Sequence, residues 1–395
     1  MRSRLFTPGP TQIPEAVRLA AATMFPYHRG PEFKEIFQEL QANLQYFFQT
    51  QQEVILLTTS GTGGMEACVS NLFNAGDKVI VIEGGKFGER WAELGRAYGL
   101  SVISAMPSWG DALDLEVFEG VVKATNGLTG VFCTHSETST GGFTDVKRLA
   151  EIVHAHSEAL VDVDGITSVG VLPFYFDAWG IDACVSGSQK GAMAPPGLAF
   201  VALSQRAWQK HKHSTQPRYY FDFTAAHKAA QEQGTAWTPA IATVVSLAES
   251  LRRMRANGLE SYWQHYARLA SAMRAGIQAL GLEIFPQVPS NALTAVKVPN
   301  GINGKAFTEL LRSKYGLTVA GGQGQLKGKI FRVTHMGDYD HLDMIGLMAA
   351  IEMALAELGW PVEWGRGLAA MQRAFNEQHE VAAERENVRD ARTDF

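Results

Sequence analysis

Lys190 stands at a position where a lysine side chain is costly. The preceding residues, Ala183 to Ser186, form an apolar run that predicts a buried strand, and small residues and the turn at 195–197 follow. An ammonium group there needs its charge neutralised, and a covalent imine with an aldehyde would do so while activating the carbonyl for exchange with an amino substrate. A structural or anion-binding lysine is the alternative that the position alone leaves open.

Two aspartates mark the end of a second predicted strand. Asp162 lies within the apolar run Leu160 to Val163 and Asp164 follows it, so alternation along the strand points both side chains to the same face. A buried carboxylate there needs a cationic partner. A pyridinium nitrogen would supply one, and the ion pair would keep that nitrogen protonated so that the ring acts as an electron sink. A helix N-cap or a loop hydrogen bond would explain one aspartate equally well.

A glycine-rich turn follows the apolar run Val54 to Leu57, and the spacing of later apolar residues predicts a helix from about Gly63. Strand, glycine turn and helix N-terminus together offer free N–H groups and the positive end of a helix dipole to an anion. A dinucleotide site is the rival, since Gly61 and Gly63 have the right spacing and Glu83 ends the next strand. Glu66 occupies the third glycine position, however, and the neighbouring hydroxyls suit a single terminal phosphate better. A turn without a ligand also stays open.

The elements that carry these residues alternate between short strands and helices. With 395 residues the chain exceeds the roughly 250 to 300 at which single cores stop growing, so we expect two domains. We predict a large domain at 16–255 and a smaller α+β domain at 256–395, to which the extended segment 1–15 contributes. The alternation is typical of a mostly parallel α/β sheet that binds ligands at the carboxyl ends of its strands. The predicted strands are 54–57, 79–82, 131–133, 160–163, 183–186 and 198–203 in the large domain, and 292–298 and 330–333 in the smaller one.

Composition argues against several classes of function. The net charge of −5 is spread along the chain without a Lys/Arg block, so we expect no nucleic-acid partner. Cys68, Cys133 and Cys184 lie in apolar stretches, which predicts buried thiols in a reducing compartment. No apolar run is long enough for a membrane span or a leader, so we expect no membrane partner and a cytoplasmic protein. The charged segment from Glu377 onward predicts a solvated helix or a frayed tail.

Four sequence runs together resemble a known family. The runs are Ser60-Gly61-Thr62-Gly63-Gly64-Met65-Glu66, His135-Ser136-Glu137-Thr138-Ser139-Thr140-Gly141, Ser186-Gly187-Ser188-Gln189-Lys190 and Ala194-Pro195-Pro196-Gly197. They resemble the class V (fold type I) aminotransferases, which depend on pyridoxal 5′-phosphate, and within them the alanine–glyoxylate and serine–glyoxylate enzymes. The resemblance spans nearly the whole chain. It implies the fold type I of pyridoxal-phosphate transferases: a mostly parallel, seven-stranded sheet in the large domain and a small α+β C-terminal domain.

The resemblance also implies roles for single residues. Lys190 would be the catalytic residue that forms the internal Schiff base with the cofactor, and Asp164 would pair with the pyridine nitrogen. Thr138 would lie near the phenolic oxygen of the ring, and Phe87 would stack on its face, while the nearby Trp91 is read as a core aromatic. The implied cofactor-binding residues are Ser60, Gly61, Thr62, Phe87, Thr138, Asp164, Gln189, Lys190 and Thr238.

Substrate and partner contacts follow from the same resemblance. Arg332 matches the arginine that holds the substrate α-carboxylate with two hydrogen bonds, and Gly9 matches a backbone turn near the substrate. Relatives receive a phosphate contact from the second subunit, and here Thr238, or alternatively Thr235, fits that loop. We therefore expect a homodimer with a shared active site and no metal.

The implied reaction is a ping-pong transamination between alanine or serine and glyoxylate or another 2-oxo acid. Other chemistries of the family stay open, namely pyridoxamine–pyruvate and ureidoglycine–glyoxylate transamination. A cysteine desulfurase-like lyase would need an exposed cysteine and usually a histidine before the lysine, where this chain has Gln189. An NAD(P)-binding oxidoreductase, or a subunit that serves only binding or assembly, is the alternative from another class.

Overall fold

The chain alternates strands and helices along most of its length. The computed structural model describes residues 3–22, 26–105 and 107–377. Runs of apolar residues form its central strands, whose side chains are buried on both faces of the sheet. In chain order the strands are β1 (Arg4–Leu5), β2 (Val54–Leu57), β3 (Lys78–Ile82), β4 (Ser101–Ala105), β5 (Leu128–Thr134), β6 (Ser136–Glu137), β7 (Gly142–Phe143), β8 (Leu160–Asp164), β9 (Ala183–Gly187), β10 (Ala199–Leu203), β11 (Leu293–Lys297), β12 (Leu317–Thr318), β13 (Ala320–Gly321) and β14 (Ile330–Thr334).

Many helices begin at a side chain that caps them. Asp114, Asp145, Ser204, Asp222 and Asn303 each accept a hydrogen bond from a backbone N–H of the first turn, which satisfies a donor that the helix itself leaves free. The helices are α1 (Glu15–Ala20), α2 (Pro31–Phe48), α3 (Gly61–Leu72), α4 (Lys86–Ala97), α5 (Leu115–Ala124), α6 (Val146–His156), α7 (Gln205–His211), α8 (Phe223–Gln231), α9 (Ile241–Asn257), α10 (Leu259–Ala279), α11 (Gly304–Tyr315) and α12 (His341–Glu357).

Seven strands form the central sheet in the order β2-β10-β9-β8-β5-β3-β4. Strand β10 is antiparallel to both of its neighbours, and the other pairings are parallel. The predicted mostly parallel, seven-stranded α/β sheet is confirmed. The sequence prediction missed β4, because serines interrupt its apolar run and it lies half exposed at the edge of the sheet.

The strand order decides which loops meet. Strands β9, β8, β5 and β3 are neighbours and run in the same direction, so the residues that follow them lie along one edge of the sheet. Strand β2 runs parallel to β9 with β10 between them, and the turn that follows it reaches the same edge. This edge is where the predicted lysine, aspartate and glycine turn were expected to come together.

A second, smaller sheet lies toward the C-terminus. Strands β11, β14 and β13 are antiparallel, and α10, α11 and α12 pack their apolar residues against them. The N-terminal strand β1 pairs in parallel with β12, and Phe6 is buried in the same apolar cluster. The boundaries at residues 16 and 256 stay a prediction. The charged tail predicted from Glu377 falls at 378–395, outside the described residues, whereas 366–377 are helical.

No helix in the described ranges is both long and apolar enough to cross a membrane.

Close packing of α3 on the central sheet depends on a glycine. A Cβ atom at Gly64 would lie 2.6 Å from Cγ1 of Val185 in β9 and 3.2 Å from Cβ of Ala199 in β10. By contrast, a Cβ atom at Gly120, an exposed residue within α5, would meet nothing within 4 Å. The two helical glycines therefore differ only in whether the sheet lies against them.

We expect Gly64→Ala to lower the free energy of unfolding by about 1–3 kcal/mol, because the added methyl group overpacks the sheet. Gly120→Ala should raise it by up to about 1 kcal/mol, since alanine is the better helix former and the space is open. Thermal unfolding of the two cofactor-free variants measures both effects. Equal shifts for the two variants would contradict the packing argument.

Candidate active site

Three charged residues from different elements meet at the carboxyl edge of the sheet. Asp164 ends β8, Lys190 follows β9, and Arg332 comes from β14 of the smaller sheet. They act on one another, because the negative charge of Asp164 raises the pKa of Lys190 while the positive charge of Arg332 lowers it. The structure thus brings together three of the residues that the sequence motifs singled out.

Lys190 supplies the amine of this cluster. Its side chain is largely withdrawn from water, and its Nζ donates a hydrogen bond to the carbonyl oxygen of Pro8 at 2.6 Å. The pKa of Lys190 is lowered to about 8, mainly by burial; Asp164 opposes this effect, and the positive charges of Arg332 and Arg90 add to it. An amine with this pKa is neutral in a large share of molecules near pH 8, as attack on a carbonyl requires.

The N-terminal segment lies directly over Lys190. Gly9 has a φ of +144°, and a Cβ atom there would come within 2.2 Å of the lysine Nζ. Thr11 donates its backbone N–H to the carbonyl of Gln189 at 3.2 Å and its hydroxyl to the carbonyl of Lys190 at 3.2 Å. Glycine is favoured at position 9 because other residues rarely adopt this φ, and a side chain there would also displace the lysine. The predicted contact of Gly9 with substrate stays a prediction.

Asp164 is the buried carboxyl of the cluster, with 3% of its surface exposed. Its Oδ1 accepts the backbone N–H of Ile166 at 2.9 Å, and Oδ2 receives no hydrogen bond from the part of the chain that the structure describes. Burial raises the pKa of Asp164 to about 7, and the backbone N–H and the positive charges of Lys190 and Arg90 work against that rise. One carboxyl oxygen therefore stays available to a cationic ligand.

Asp162 has a different environment although it precedes Asp164 by only two residues. It is fully buried, and neither of its carboxyl oxygens has a hydrogen-bond partner among the described residues. Burial raises its pKa well above the ordinary value, and the charge of Asp182 adds to that effect. Asp162 therefore belongs to the core, whereas Asp164 interacts with the positive charges of Lys190 and Arg90.

The glycine turn after β2 presents unused polar atoms. Ser60 is the N-cap of α3, yet its exposed side chain makes no capping hydrogen bond. A Cβ atom at Gly61 would lie 2.3 Å from Cδ1 of Ile166, so the backbone of the turn approaches the end of β8 closely. The buried Oε1 of Gln189 also has no partner among the described residues. The free N–H groups, the helix dipole and the Ser60 hydroxyl, which are donors or positive groups, together fit a phosphate group.

Phe87 and Arg90 form one wall of the site from the first turn of α4. The guanidinium carbon of Arg90 lies 4.8 Å from the centre of the Phe87 ring, in the geometry of a cation–π contact. Phe87 is half buried, so a ring face remains for a ligand, whereas Trp91 is fully buried against Phe132. The structure thus places Trp91 in the core, as the sequence suggested.

Glu137 fixes the start of α4, a role that sequence reasoning missed. Its carboxylate accepts the backbone N–H groups of Phe87 at 3.1 Å and Gly88 at 3.0 Å, and that of Ser139 at 3.0 Å. A Cβ atom at Gly85 would lie 2.4 Å from the same side chain. The only available signal was an acidic residue inside a polar run that follows a buried strand.

Arg332 has two donors left for a ligand. Its Nη1 donates to the carbonyl of Thr138 at 2.8 Å, and its Nε and Nη2 both donate to the carbonyl of Gly321. Because a guanidinium has five N–H groups, one hydrogen stays free on each terminal nitrogen, the pair that a carboxylate binds. Burial lowers the pKa of Arg332 to about 10, which still leaves it cationic at neutral pH.

The Thr138 hydroxyl forms a hydrogen bond with the hydroxyl of Thr167 at 3.0 Å.

The loop of Thr235 and Thr238 lies at the surface. Thr238 is exposed and makes no hydrogen bond with any residue of the described ranges, whereas the hydroxyl of Thr235 donates to the carbonyl of Trp237 at 2.7 Å. Of the two threonines predicted to contact the second subunit, Thr238 is therefore the one whose hydroxyl is available to another molecule. Its role across an interface stays a prediction.

Pyridoxal phosphate, the cofactor that the sequence motifs imply, fits these groups. Lys190 offers an amine with a lowered pKa, Asp164 an unused carboxyl oxygen, and the turn at Ser60 unused donors. The three cysteines are buried and free, and burial raises the pKa of each thiol. Within the described residues no three His, Cys, Asp or Glu side chains are grouped so that they could hold a metal ion.

Comparisons with known proteins place the chain among enzymes. Residues 5–333 match the model of the family described as Aminotransferase class-V. A protein of Synechococcus sp. (strain PCC 6716) named soluble hydrogenase, small subunit, is 40% identical and the match covers 95% of this chain and 99% of the relative. The serine–glyoxylate aminotransferase of Hyphomicrobium methylovorum is 35% identical, with 94% of each chain covered. Among solved structures, an aspartate aminotransferase of subgroup IV from Thermus thermophilus is 36% identical with a TM-score of 0.84, covering 90% of this chain and 99% of its own.

We predict that Lys190 of the cofactor-free protein is acylated or methylated half-maximally near pH 8, because burial lowers its pKa and the neutral amine is the reactive form. Lys314 is the control, since its hydrogen bond to Glu357 raises its pKa and its labelling should still increase above pH 10.5. Site-resolved mass spectrometry after brief labelling across a pH series measures both. The assignment is wrong if the two lysines show the same pH profile.

Proposed function

The chain belongs to the class-V aminotransferase family and depends on pyridoxal 5′-phosphate, and we propose that it transfers the amino group of alanine or serine to glyoxylate or another 2-oxo acid. The observation that carries the proposal is the cluster of Lys190, Asp164 and Arg332 at the carboxyl edge of the sheet. A nucleophilic amine, a carboxyl for a ring nitrogen and a clamp for a carboxylate are the three groups that transamination of an amino acid requires.

When bound, pyridoxal phosphate supplies a carbonyl that takes up the amino group and a ring that withdraws electrons. Lys190 holds it and then moves the proton at the substrate Cα, a task that suits an amine whose pKa is about 8. Asp164 keeps the ring nitrogen protonated through its free Oδ2. Lys190 thus carries two of these tasks and Asp164 the third, and the binding of the substrate falls to another side chain.

Arg332 orients the substrate. Its two free N–H groups bind the α-carboxylate, and the carbonyls of Thr138 and Gly321 fix the guanidinium plane. A bound carboxylate held in one plane leaves the Cα proton in a constant position relative to Lys190. The N-terminal segment at Pro8 and Gly9 covers the lysine and keeps water from its amine.

Relatives support two kinds of amino donor. The Hyphomicrobium methylovorum enzyme is named for serine and glyoxylate, and the Thermus thermophilus structure for aspartate. We propose a small, uncharged donor because Arg332 offers two free N–H groups, enough for one carboxylate. Turnover of alanine, serine and aspartate with glyoxylate, at equal concentration, tests this choice. A preference for aspartate would overturn the proposed donors and leave the reaction class intact.

The Synechococcus relative favours a second candidate, a subunit that serves binding or assembly, because it is named as a hydrogenase subunit. Such a protein would not depend on Lys190 for its activity. A cysteine desulfurase is not favoured, since Cys68, Cys133 and Cys184 are buried with raised thiol pKa values. Aminotransferase turnover that is lost in the Lys190→Ala variant would decide for the aminotransferase over the binding or assembly subunit.

We further propose that the protein is a cytoplasmic homodimer in which Thr238 contacts the cofactor phosphate of the second subunit. Tyr219 is 77% exposed and Tyr220 44%, and both rings stack on Trp237 beside the Thr238 loop. Aromatic rings stacked at the surface are typical of the buried centre of an interface. The backbone N–H of Ala240 donates to the hydroxyl of Thr58, which fixes the end of the loop that carries Thr238.

We predict that Asp164→Asn retains the cofactor but lowers turnover at least about 100-fold, because an amide does not hold the ring nitrogen protonated. Asp162→Asn is the matched control, since burial raises the pKa of that carboxyl and so favours its uncharged form, which an amide imitates. Its turnover should stay within about threefold of the unmodified enzyme. Steady-state kinetics with alanine and glyoxylate measure both variants. Equal losses would contradict the division of labour between the two aspartates.

We predict that mixing Lys190→Ala with Thr238→Ala subunits restores high-affinity cofactor binding. If Thr238 acts across the interface, each mixed dimer contains one site in which both residues are intact. Thr238→Ala alone should weaken binding about tenfold through one lost hydrogen bond. Ser313→Ala, an exposed hydroxyl on α11, is the control without effect. Light scattering measures the mass of the protein in solution. A monomeric mass, or a mixture of the two variants that does not recover cofactor binding, would contradict the shared site.

A further inference from the structure

Arg90 is a charged residue of the site whose role neither the motifs nor the family matches assign. It lies on α4, three residues after Phe87, and its Nη1 donates to the hydroxyl of Thr62 in the glycine turn at 3.0 Å. Its positive charge acts on Asp164 and Lys190, whose pKa values it lowers. Arg90 therefore lies between the stacking ring and the first turn of α3.

Arg90 forms no ion pair with an acidic side chain within the described ranges, although its charge acts on Asp164. Acidic residues follow and precede it on the same helix, but Glu89 and Glu93 both pair with Lys86, at 3.0 and 3.1 Å. The hydrogen bond to Thr62 uses one of the five N–H groups of the guanidinium, and no other hydrogen bond of this side chain is formed with a described residue. Four donors are thus free for a ligand.

The position of this cation is unfavourable without an anion. The first turn of α3 already carries the positive end of a helix dipole, and the guanidinium adds a full positive charge beside it. Two positive groups that face the same turn repel each other until a negative group lies between them. The hydroxyl of Ser60, which makes no capping hydrogen bond, is a further donor at this turn for the same ligand.

We propose that Arg90 binds the phosphate of the cofactor and supplies the full positive charge that the other groups of the turn lack. The inference rests on the proposed site. Ser60, Gly61, Thr62 and Gln189 are neutral, so without Arg90 a phosphate dianion would rely on dipoles and on neutral hydrogen bonds. The same guanidinium braces the Phe87 ring, which joins phosphate binding to ring stacking in one side chain.

Two other roles for Arg90 make different predictions. A residue that only braces Phe87 would affect the ring of the cofactor and not its phosphate. A residue that binds the distal carboxylate of a dicarboxylic donor would affect substrate and not cofactor. A comparison of pyridoxal phosphate with pyridoxal, which lacks the phosphate, separates these roles from the proposed one.

The experiment titrates the cofactor-free protein with pyridoxal phosphate and with pyridoxal and follows visible absorbance. Arg90→Gln should raise the Kd for pyridoxal phosphate about 10- to 100-fold, the effect of a lost charged hydrogen bond, and that for pyridoxal less than about twofold. Arg90→Lys should lie between, because a lysine keeps the charge without the planar fork. Arg96→Gln, at the exposed end of the same helix, should match the unmodified protein.

Inorganic phosphate provides a second readout that does not involve the ring. It should raise the melting temperature of the cofactor-free protein, and Arg90→Gln should reduce that rise by more than half. This comparison uses each variant as its own reference, so a small loss of stability in Arg90→Gln does not obscure it.

Three results would overturn the inference. The first is an equal loss of affinity for pyridoxal phosphate and for pyridoxal. The second is an unchanged Kd for both compounds together with an unchanged rise of the melting temperature in phosphate. The third is intact cofactor binding with a raised KM for aspartate alone. Failure of the unmodified protein to bind pyridoxal phosphate would instead overturn the proposed function. The two failures are therefore distinguishable in one titration series.

Discussion

Burial of an amine beside a carboxyl group is the constraint on which the site depends. Burial lowers the pKa of Lys190 to about 8 and raises that of Asp164 to about 7, so each group is displaced toward its neutral form. Each charge also opposes the effect of burial on the other. Solvent at this edge would return both groups to their ordinary pKa values. The surrounding structure must therefore exclude water here while it leaves room for a ligand that carries its own charges.

The smaller sheet contributes to that enclosure from both ends of the chain. The backbone N–H of Thr334, next to Arg332 on β14, donates to the carbonyl of Phe6 at 3.1 Å, and Phe6 is buried in the core of the smaller sheet. Pro8, two residues later, accepts the hydrogen bond of Lys190. Arg332 and the cover over Lys190 are thus both anchored in the smaller sheet. Their hydrogen bonds to the carbonyls of Thr138 and Gln189 also tie them to the edge of the large sheet.

The sequence predicted those parts of the site in which a charged residue directly follows an apolar strand. Lys190 and Asp164 were found because a charged residue directly after an apolar strand is unusual, and alternation along the strand was enough to relate Asp162 to Asp164. Alternation gave no account of their different surroundings, which depend on what packs against each carboxyl. The carbonyl of Pro8 was also beyond reach, because a backbone acceptor has no signature in the sequence. Strand β4 was missed since its half-exposed edge position needs no continuous apolar run.

Glu137 and the residue after it hold two parts of the site that are far apart in the sequence. Its two carboxylate oxygens accept four donors, three backbone N–H groups and the hydroxyl of Ser139, which fixes the turn that carries Phe87. The next residue, Thr138, accepts the hydrogen bond of Arg332 through its carbonyl. A glutamine at 137 would turn an amide N–H₂ toward N–H donors, so only an acidic side chain satisfies all four. The first turn of α4 with Phe87 and the guanidinium of Arg332 are therefore held by two consecutive residues, which couples the positions of the two side chains.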